Sequence, residues 1–306
     1  MSSPSPSPST RQRFSVDPIE RHKVSQRSTW VSVLLNVVLT VVQFIVGSLS
    51  GSQALVADAI HSLSDLLSDA VVLVATRFSH KAADADHRYG HQRFETAACL
   101  AIGLLLLGVG VGMLWRSIQS LSTPEQLQQV DVLALWVALF TLCAKELLFR
   151  YLMAEARKVR SSLLASNAWH ARSDAASSLV VALGIGGNLM GWIFLDAVAA
   201  LFVGLMIMRM GVRYAWEALG DLMDRAASEQ DMADIHEVLA GTQGVHGVHD
   251  VRTRKMGDMI MVDAHLEIDG SLSVWEGHQI SEQARERVMA ALPVVDVMLH
   301  LDPIDR

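Results

Sequence analysis

Hydrophobic residues fall in six long blocks over the first two thirds of the chain, then give way to short alternating runs. The blocks cover residues 30–49, 54–78, 97–118, 130–153, 164–190 and 192–213. Each is close to the about 20 apolar residues that a helix needs to cross a bilayer. The second and fifth carry the weakest signal. Asp58, His61, Asp65 and Asp69 interrupt the second, and His170 and Asp174 the first half of the fifth. Beyond Ser228 the pattern changes: 229–242 reads as a polar amphipathic helix, and 249–254 and 259–268 as strands around a Gly257-Asp258 turn. In the second strand Ile260, Val262, Ala264, Leu266 and Ile268 alternate with Met261, Asp263, His265 and Glu267. A helix over 273–292 and a strand over 295–301 complete an α-β-β-α-β order, which suits a small two-layer α+β domain.

The predicted fold is therefore a polytopic α-helical membrane protein, with six transmembrane helices and a C-terminal, ferredoxin-like α+β domain. Its parts are a tail (1–27), a membrane domain (28–213), a linker (214–227) and the α+β domain (228–306). Composition agrees: 51% of residues are hydrophobic and 19% charged, against about a quarter charged in soluble domains. The opening MSSPSPSPST is Ser/Pro low complexity and predicts a disordered tail, not a secretory signal. Cys99 and Cys143 lie in apolar runs, form no CxxC, and read as core residues.

Charge sets an orientation. Arg11, Arg13, Arg21, Lys23 and Arg27 precede the first span. Lys81, Arg88 and Arg93 follow the second, Arg157, Lys158 and Arg160 the fourth, and Arg225 the sixth. The other connectors lack Lys and Arg, so the positive-inside rule puts both termini in the cytoplasm. The net charge of −7 argues against nucleic acid as a partner, because phosphate contacts need a basic face.

The sharpest chemical signal is a repeated spacing. His61 and Asp65 are four residues apart, as are His170 and Asp174. Residues at i and i+4 share one helix face. Two such pairs on packed helices supply the four N and O donors of a tetrahedral zinc site. Hydrogen bonding to other helices is the structural alternative, but ionisable groups inside a membrane are costly and usually mark a pathway. Asp58 and Asp69 lie near the same face, to attract cations or to meet water near the helix ends; Asp196 reads as a buried carboxylate bonded to a neighbouring helix. Asp84, Asp86, His87 and His91 form a second group whose composition equally suits a solvated loop. His249, His265, His278, His300 and Asp302 are spread over the C-terminal domain, where isolated surface histidines are the plain alternative. There is no GxxxxGK[ST] phosphate loop and no HExxH, so neither ATP-driven pumping nor a zinc protease has support.

HSLSD (61–65), ADADHRYGHQRFE (83–95), WHARSD (169–174), LMDRA (222–226), VHDVRTRKMG (248–257), HLEIDGSL (265–272) and HLDP (300–303) together resemble the cation diffusion facilitator family, in particular its bacterial zinc–proton antiporters. The resemblance spans residues 30–303. It implies a secondary active transporter, not an enzyme, of the bacterial inner membrane that exports Zn2+ in exchange for protons. It assigns His61, Asp65, His170 and Asp174 to the transport site, and Asp84, His87 and His91 to a site in the loop after the second span. It assigns His249, His265, His278, His300 and Asp302 to a two-metal structural or regulatory site in a cytoplasmic domain through which the family forms homodimers. Arg93 and Asp224 match an inter-helix salt bridge near that interface.

One departure is informative, because close relatives carry Asp where this chain has His61. Imidazole makes the site softer, favouring zinc over manganese or magnesium while excluding iron, cobalt and cadmium less firmly. A membrane-anchored metal-sensing scaffold is the competing expectation. It accounts for the C-terminal histidines but leaves the four ionisable residues of the two spans without a role.

Overall fold

A computed structural model describes residues 18–304 apart from His80, Pro124, Gln126 and Arg160. The Ser/Pro tail, Arg11, Arg13 and Arg160 therefore lie outside the described residues. Six long helices come first: α1 (Pro18–Ser50), α2 (Gln53–Ser79), α3 (Arg93–Ser122), α4 (Val132–Val159), α5 (Ser162–Leu189) and α6 (Leu195–Leu222). They are followed by α7 (Glu229–Ala240), β1 (Gly247–Met256), β2 (Met259–Asp269), α8 (Val274–Ala291) and β3 (Val294–Ile304). The α-β-β-α-β order is as the alternation predicts.

Two boundaries differ from the hydropathy reading. α1 starts at Pro18, so the part of the expected tail that is described is helical, as proline at a first helical position allows. α6 runs on to Leu222 through most of the expected linker and ends at a turn where Asp224 takes a positive φ of 60°. Among the described residues, five helices are long and apolar enough to cross a membrane: α1 from Gln26, α2, α3, α4 and α6. α5 has comparable length, at 28 residues, but His170, Arg172, Asp174, Ser177, Ser178 and Asn188 dilute its hydropathy.

The described residues form two compact units. One combines 18–67 with 108–208, the other 68–107 with 209–304. In the first, α4 packs on α5 and α1, with Leu148, Phe149, Leu152, Ala168 and Ala171 at its core. Small residues let backbones meet: a Cβ at Gly110 would lie 2.7 Å from the Met208 backbone. Large apolar side chains such as Trp136, Phe140, Leu183 and Phe202 point outward, as suits lipid contact. Cys143, expected in a core, belongs to this exposed surface, while Cys99 is half-buried. An apolar run reads the same whether it faces protein or lipid.

In the second unit β2 pairs antiparallel with β1 and parallel with β3. Ile260, Val262, Ala264 and Leu266 of β2 pack with Ile235 and Leu239 of α7 and Ala284 and Val288 of α8. Ser228 caps α7, and Ser273 and Glu276 form a capping box on α8.

Candidate metal centres

α2 and α5 position the first centre. A helix puts Asp58, His61 and Asp65 on one side of α2, and Asp174, Ser177 and Ser178 on one side of α5. His61, Asp65 and Asp174 each offer one ligand atom, and these atoms lie within 4.8 Å of one another. His61 Nδ1 is 3.8 Å from Asp65 Oδ2. Tetrahedral zinc with bonds of about 2.0–2.1 Å holds its ligand atoms about 3.3 Å apart, so this pair would close by about half an ångström around an ion. His61 is only 7% exposed, and its Nδ1 is buried without a hydrogen-bond partner. Such an orphan is uncommon in a native interior and fits a donor that awaits a cation. His170 is not among the three. Its Nε2 lies 3.8 Å from Asp174 Oδ2, but its side chain is 62% exposed.

Asp58 lies neither at a mouth nor in water, where the sequence left it. It is fully buried and accepts from Gln43 of α1 at 2.5 Å and from Ser178 and Ser177 of α5 at 2.7 and 3.3 Å. Lys145 of α4 sits 3.5 Å away. Donors from three helices saturate this carboxylate, which removes it as a metal ligand. Lys145 itself carries no signal in hydropathy, although an ionisable residue in the middle of a membrane helix marks a functional position by default. Asp196 does bond a neighbouring helix: it accepts from Ser52 Oγ and the Gln53 N–H, at the start of α2, at 2.6 and 2.7 Å.

The loop residues Asp84, His87 and His91 also bring ligand atoms within 4.8 Å of one another. Asp84 Oδ1 lies 3.6 Å from His87 Nδ1, and Oδ2 lies 3.4 Å from His91 Nε2. His91 is buried, with its Nδ1 unpartnered. Asp84 is held well below the usual carboxylate range, first by a hydrogen bond from Lys81 Nζ and then by the His87 N–H. Asp86 stands outside the cluster.

The third centre is made by sheet register. His265 on β2 is the cross-strand partner of His249 on β1 and of His300 on β3, which lines three imidazoles across the sheet. Asp302 gathers them. Its Oδ2 lies 2.9 Å from His265 Nδ1 and 3.1 Å from His249 Nε2, and its Oδ1 lies 3.2 Å from His300 Nε2. The hydrogen bond to His265, followed by the charges of His300 and His265, lowers the Asp302 pKa. A register break after His249 leaves Asp250 in a left-handed conformation (φ 47°), from which it joins His249 and His265 as a further donor. That bulge was invisible to alternation. His278 lies on the exposed face of α8, beside Trp275, and joins no cluster. Arg93 and Asp224 form an ion pair, which Arg93 Nε extends to Met256 Sδ at 3.3 Å.

Clusters of His and Asp on long helices, beside a small α+β domain with its own histidine cluster, fit the class of membrane carriers of metal cations. Family comparison agrees. Residues 29–223 match the cation efflux transmembrane domain, and residues 227–304 the cytoplasmic domain of cation efflux proteins. The chain belongs to the cation efflux (cation diffusion facilitator) family, and is a multi-pass membrane transporter of divalent metals rather than an enzyme. It is 35% identical to metal tolerance protein C1 of Arabidopsis thaliana, over 87% of this chain and 59% of that protein. It is 30% identical to the cation-efflux pump FieF of Klebsiella pneumoniae strain 342, over 83% of this chain and 84% of the pump. The metal-bound C-terminal domain of the CzcD transporter from Thermotoga maritima is 32% identical, over 24% of this chain and 90% of that domain, with a TM-score of 0.24.

Proposed function

We propose that this protein exports Zn2+ from the cytoplasm in exchange for protons, using His61, Asp65, His170 and Asp174 as the transport site. The observation that carries the reading is the trio His61, Asp65 and Asp174 on α2 and α5, with the buried His61 Nδ1 unpartnered. His170, one turn from Asp174 on α5, completes a tetrahedral set by turning its side chain inward. α5 then crosses the membrane as the sixth span, its polar face turned to the pathway. Two imidazoles and two carboxylates favour zinc over hard ions and admit iron, cobalt and cadmium less readily. Ligands bind metal only when deprotonated, so loading releases protons and protonation on the far side unloads the ion.

The loop and C-terminal clusters serve as further metal sites in this reading. The C-terminal one joins a homodimer in the cytoplasm and biases it toward transport, with both termini on that side of the bacterial inner membrane. Zinc uptake by inverted vesicles or proteoliposomes, with and without a pH gradient, tests the proposal. Transport should follow the gradient and fall at least a hundredfold in His61→Ala and Asp174→Ala. Full activity in those variants would refute the site, and indifference to the gradient would refute proton coupling.

A further inference from the structure

Lys145 is a fully buried lysine, 2% exposed, in the middle of a membrane helix. Its ammonium donates to Ser178 Oγ of α5 at 2.9 Å and to Ser62 Oγ of α2 at 3.2 Å, and faces Asp58 of α2 at 3.5 Å. Asp58 in turn accepts from Gln43 of α1 and from Ser177 and Ser178 of α5. One ion pair thus collects bonds from α1, α2, α4 and α5. Both of its arms end beside the metal ligands. Ser62 adjoins His61, and Ser177 also donates to the backbone carbonyl of Asp174 at 2.8 Å.

Stability does not explain such a pair. Two buried charges are costly, and a well-packed apolar pair of similar volume is often as stable or more so. What charge adds is a demand for one geometry, because a lysine moved from Asp58 would leave two uncompensated ions in a dry interior. The transport trio, by contrast, has slack: His61 Nδ1 stands 3.8 Å from Asp65 Oδ2, beyond hydrogen-bond distance, and has no bond of its own. Something other than the ligands must hold α2 at its distance from α5.

We infer that Asp58 and Lys145 are positioning residues for the transport site. Without touching the metal, they set the separation of α2 and α5 and thereby the spacing of His61, Asp65 and Asp174. The inference rests on the transport-site reading above. Groups that orient metal ligands from behind are typically worth about 10–100-fold in metal affinity.

The test is zinc transport by the full-length protein in proteoliposomes, comparing wild type, Asp58→Asn/Lys145→Met and Ser178→Ala. The double variant removes both charges together, so no lone ion is left buried. A positioning role raises the zinc KM of the double variant about 10–100-fold while turnover at saturating zinc stays within threefold of wild type. Ser178→Ala, which removes the hydroxyl that accepts from Lys145 and donates to Asp58, raises KM severalfold in the same pattern. A merely structural role lowers turnover with the amount of folded protein and leaves KM unchanged, and that result in both variants overturns the inference. Should the double variant fail to fold, Ser178→Ala decides alone. Asp174→Ala separates the two proposals: if it transports normally, the site reading fails. If it is inactive while the other variants keep the wild-type KM, only the positioning role fails.

Discussion

Asp196→Ala measures how firmly the metal-bearing helix is held at its start. The Asp196 carboxylate, on α6, accepts from the Ser52 hydroxyl at 2.6 Å and from the Gln53 and Ala54 N–H groups at 2.7 and 3.4 Å. These residues open α2, and His61 and Asp65 follow two to three turns on. A first-turn N–H has no partner within its own helix; Ser52 Oγ takes that of Leu55 at 3.1 Å, and the carboxylate from α6 takes those of Gln53 and Ala54. Alanine removes all three bonds. A buried donor left without an acceptor costs about 1–3 kcal/mol. The Ala54 bond is long and adds little, while Ser52 and Asp196 are almost wholly buried, so two bonds carry the effect. The expected loss is about 2–6 kcal/mol, from two donors at about 1–3 kcal/mol each.

Asp131→Ala is the control. Asp131 makes the same kind of bond, to the Leu133 N–H at 2.8 Å at the start of α4, but on an exposed side. Water replaces it there, and the loss should stay near 0.5–1 kcal/mol, roughly the lower part of the range for a helix cap. Both variants are compared with wild type by denaturant or thermal unfolding of the full-length protein in one detergent. Equal losses, or a loss below about 0.5 kcal/mol for Asp196→Ala, would refute the claim that burial makes this cap matter.

Three further outcomes are expected. His61→Asp should keep zinc transport within about tenfold and admit Mn2+, because a third carboxylate hardens the ligand set; competition of Mn2+ with zinc in vesicles checks it. Lys81→Met should tighten metal binding at the loop cluster, since Lys81 Nζ occupies Asp84 Oδ2 at 2.9 Å; cobalt titration followed by visible absorption reads the affinity, and weaker binding would count against it. The folded pKa of Asp302 lies below its ordinary 3.8, first because of the His265 bond, so its contribution to stability is present above pH 3.8 and is lost as pH falls through the folded value. Metal-free Asp302→Asn should therefore melt below wild type at pH 7, with the gap closing only under acid conditions below that range; a gap that grows on acidification would contradict the sign.

Much of the fold was legible because its signals are local. Six apolar blocks became six helices, and period-two alternation in β2 found a strand whose Ile260, Val262 and Leu266 are buried against helices. Spacing likewise paired His61 with Asp65, since i and i+4 meet within one helix. Proximity between elements was not local and was read less well. That His249, His265 and His300 share a row depends on one antiparallel and one parallel register, and Asp250 joins them only because the strand bulges. Asp58 looked like a ligand or a solvated group; only the packing of α1, α4 and α5 around it shows a saturated carboxylate. Lys145 was legible in principle, since a cation in the middle of a membrane helix needs a partner.

The three centres differ in how complete they are without an ion, and that difference separates their tasks. At the C-terminal centre Asp302 already holds three imidazoles within 3.2 Å, on a sheet whose register is set by its own hydrogen bonds. An ion arriving there meets ligands that need little reordering, which favours tight, slowly exchanged binding. At the loop centre the Lys81 ammonium already rests on the shared carboxylate, so metal must displace a tethered cation. In the first centre His61 Nδ1 stands 3.8 Å from Asp65 Oδ2 and is unpartnered, and His170 is turned away. On the proposed function, closing those gaps draws on the binding energy of each ion, so the site would hold its metal less tightly than its ligand set allows. A carrier needs that weakness, because an ion bound as firmly as in a structural zinc site would not leave on the far side. Holding α2 and α5 from behind, through Asp58 and Lys145, confines the slack to the ligands themselves.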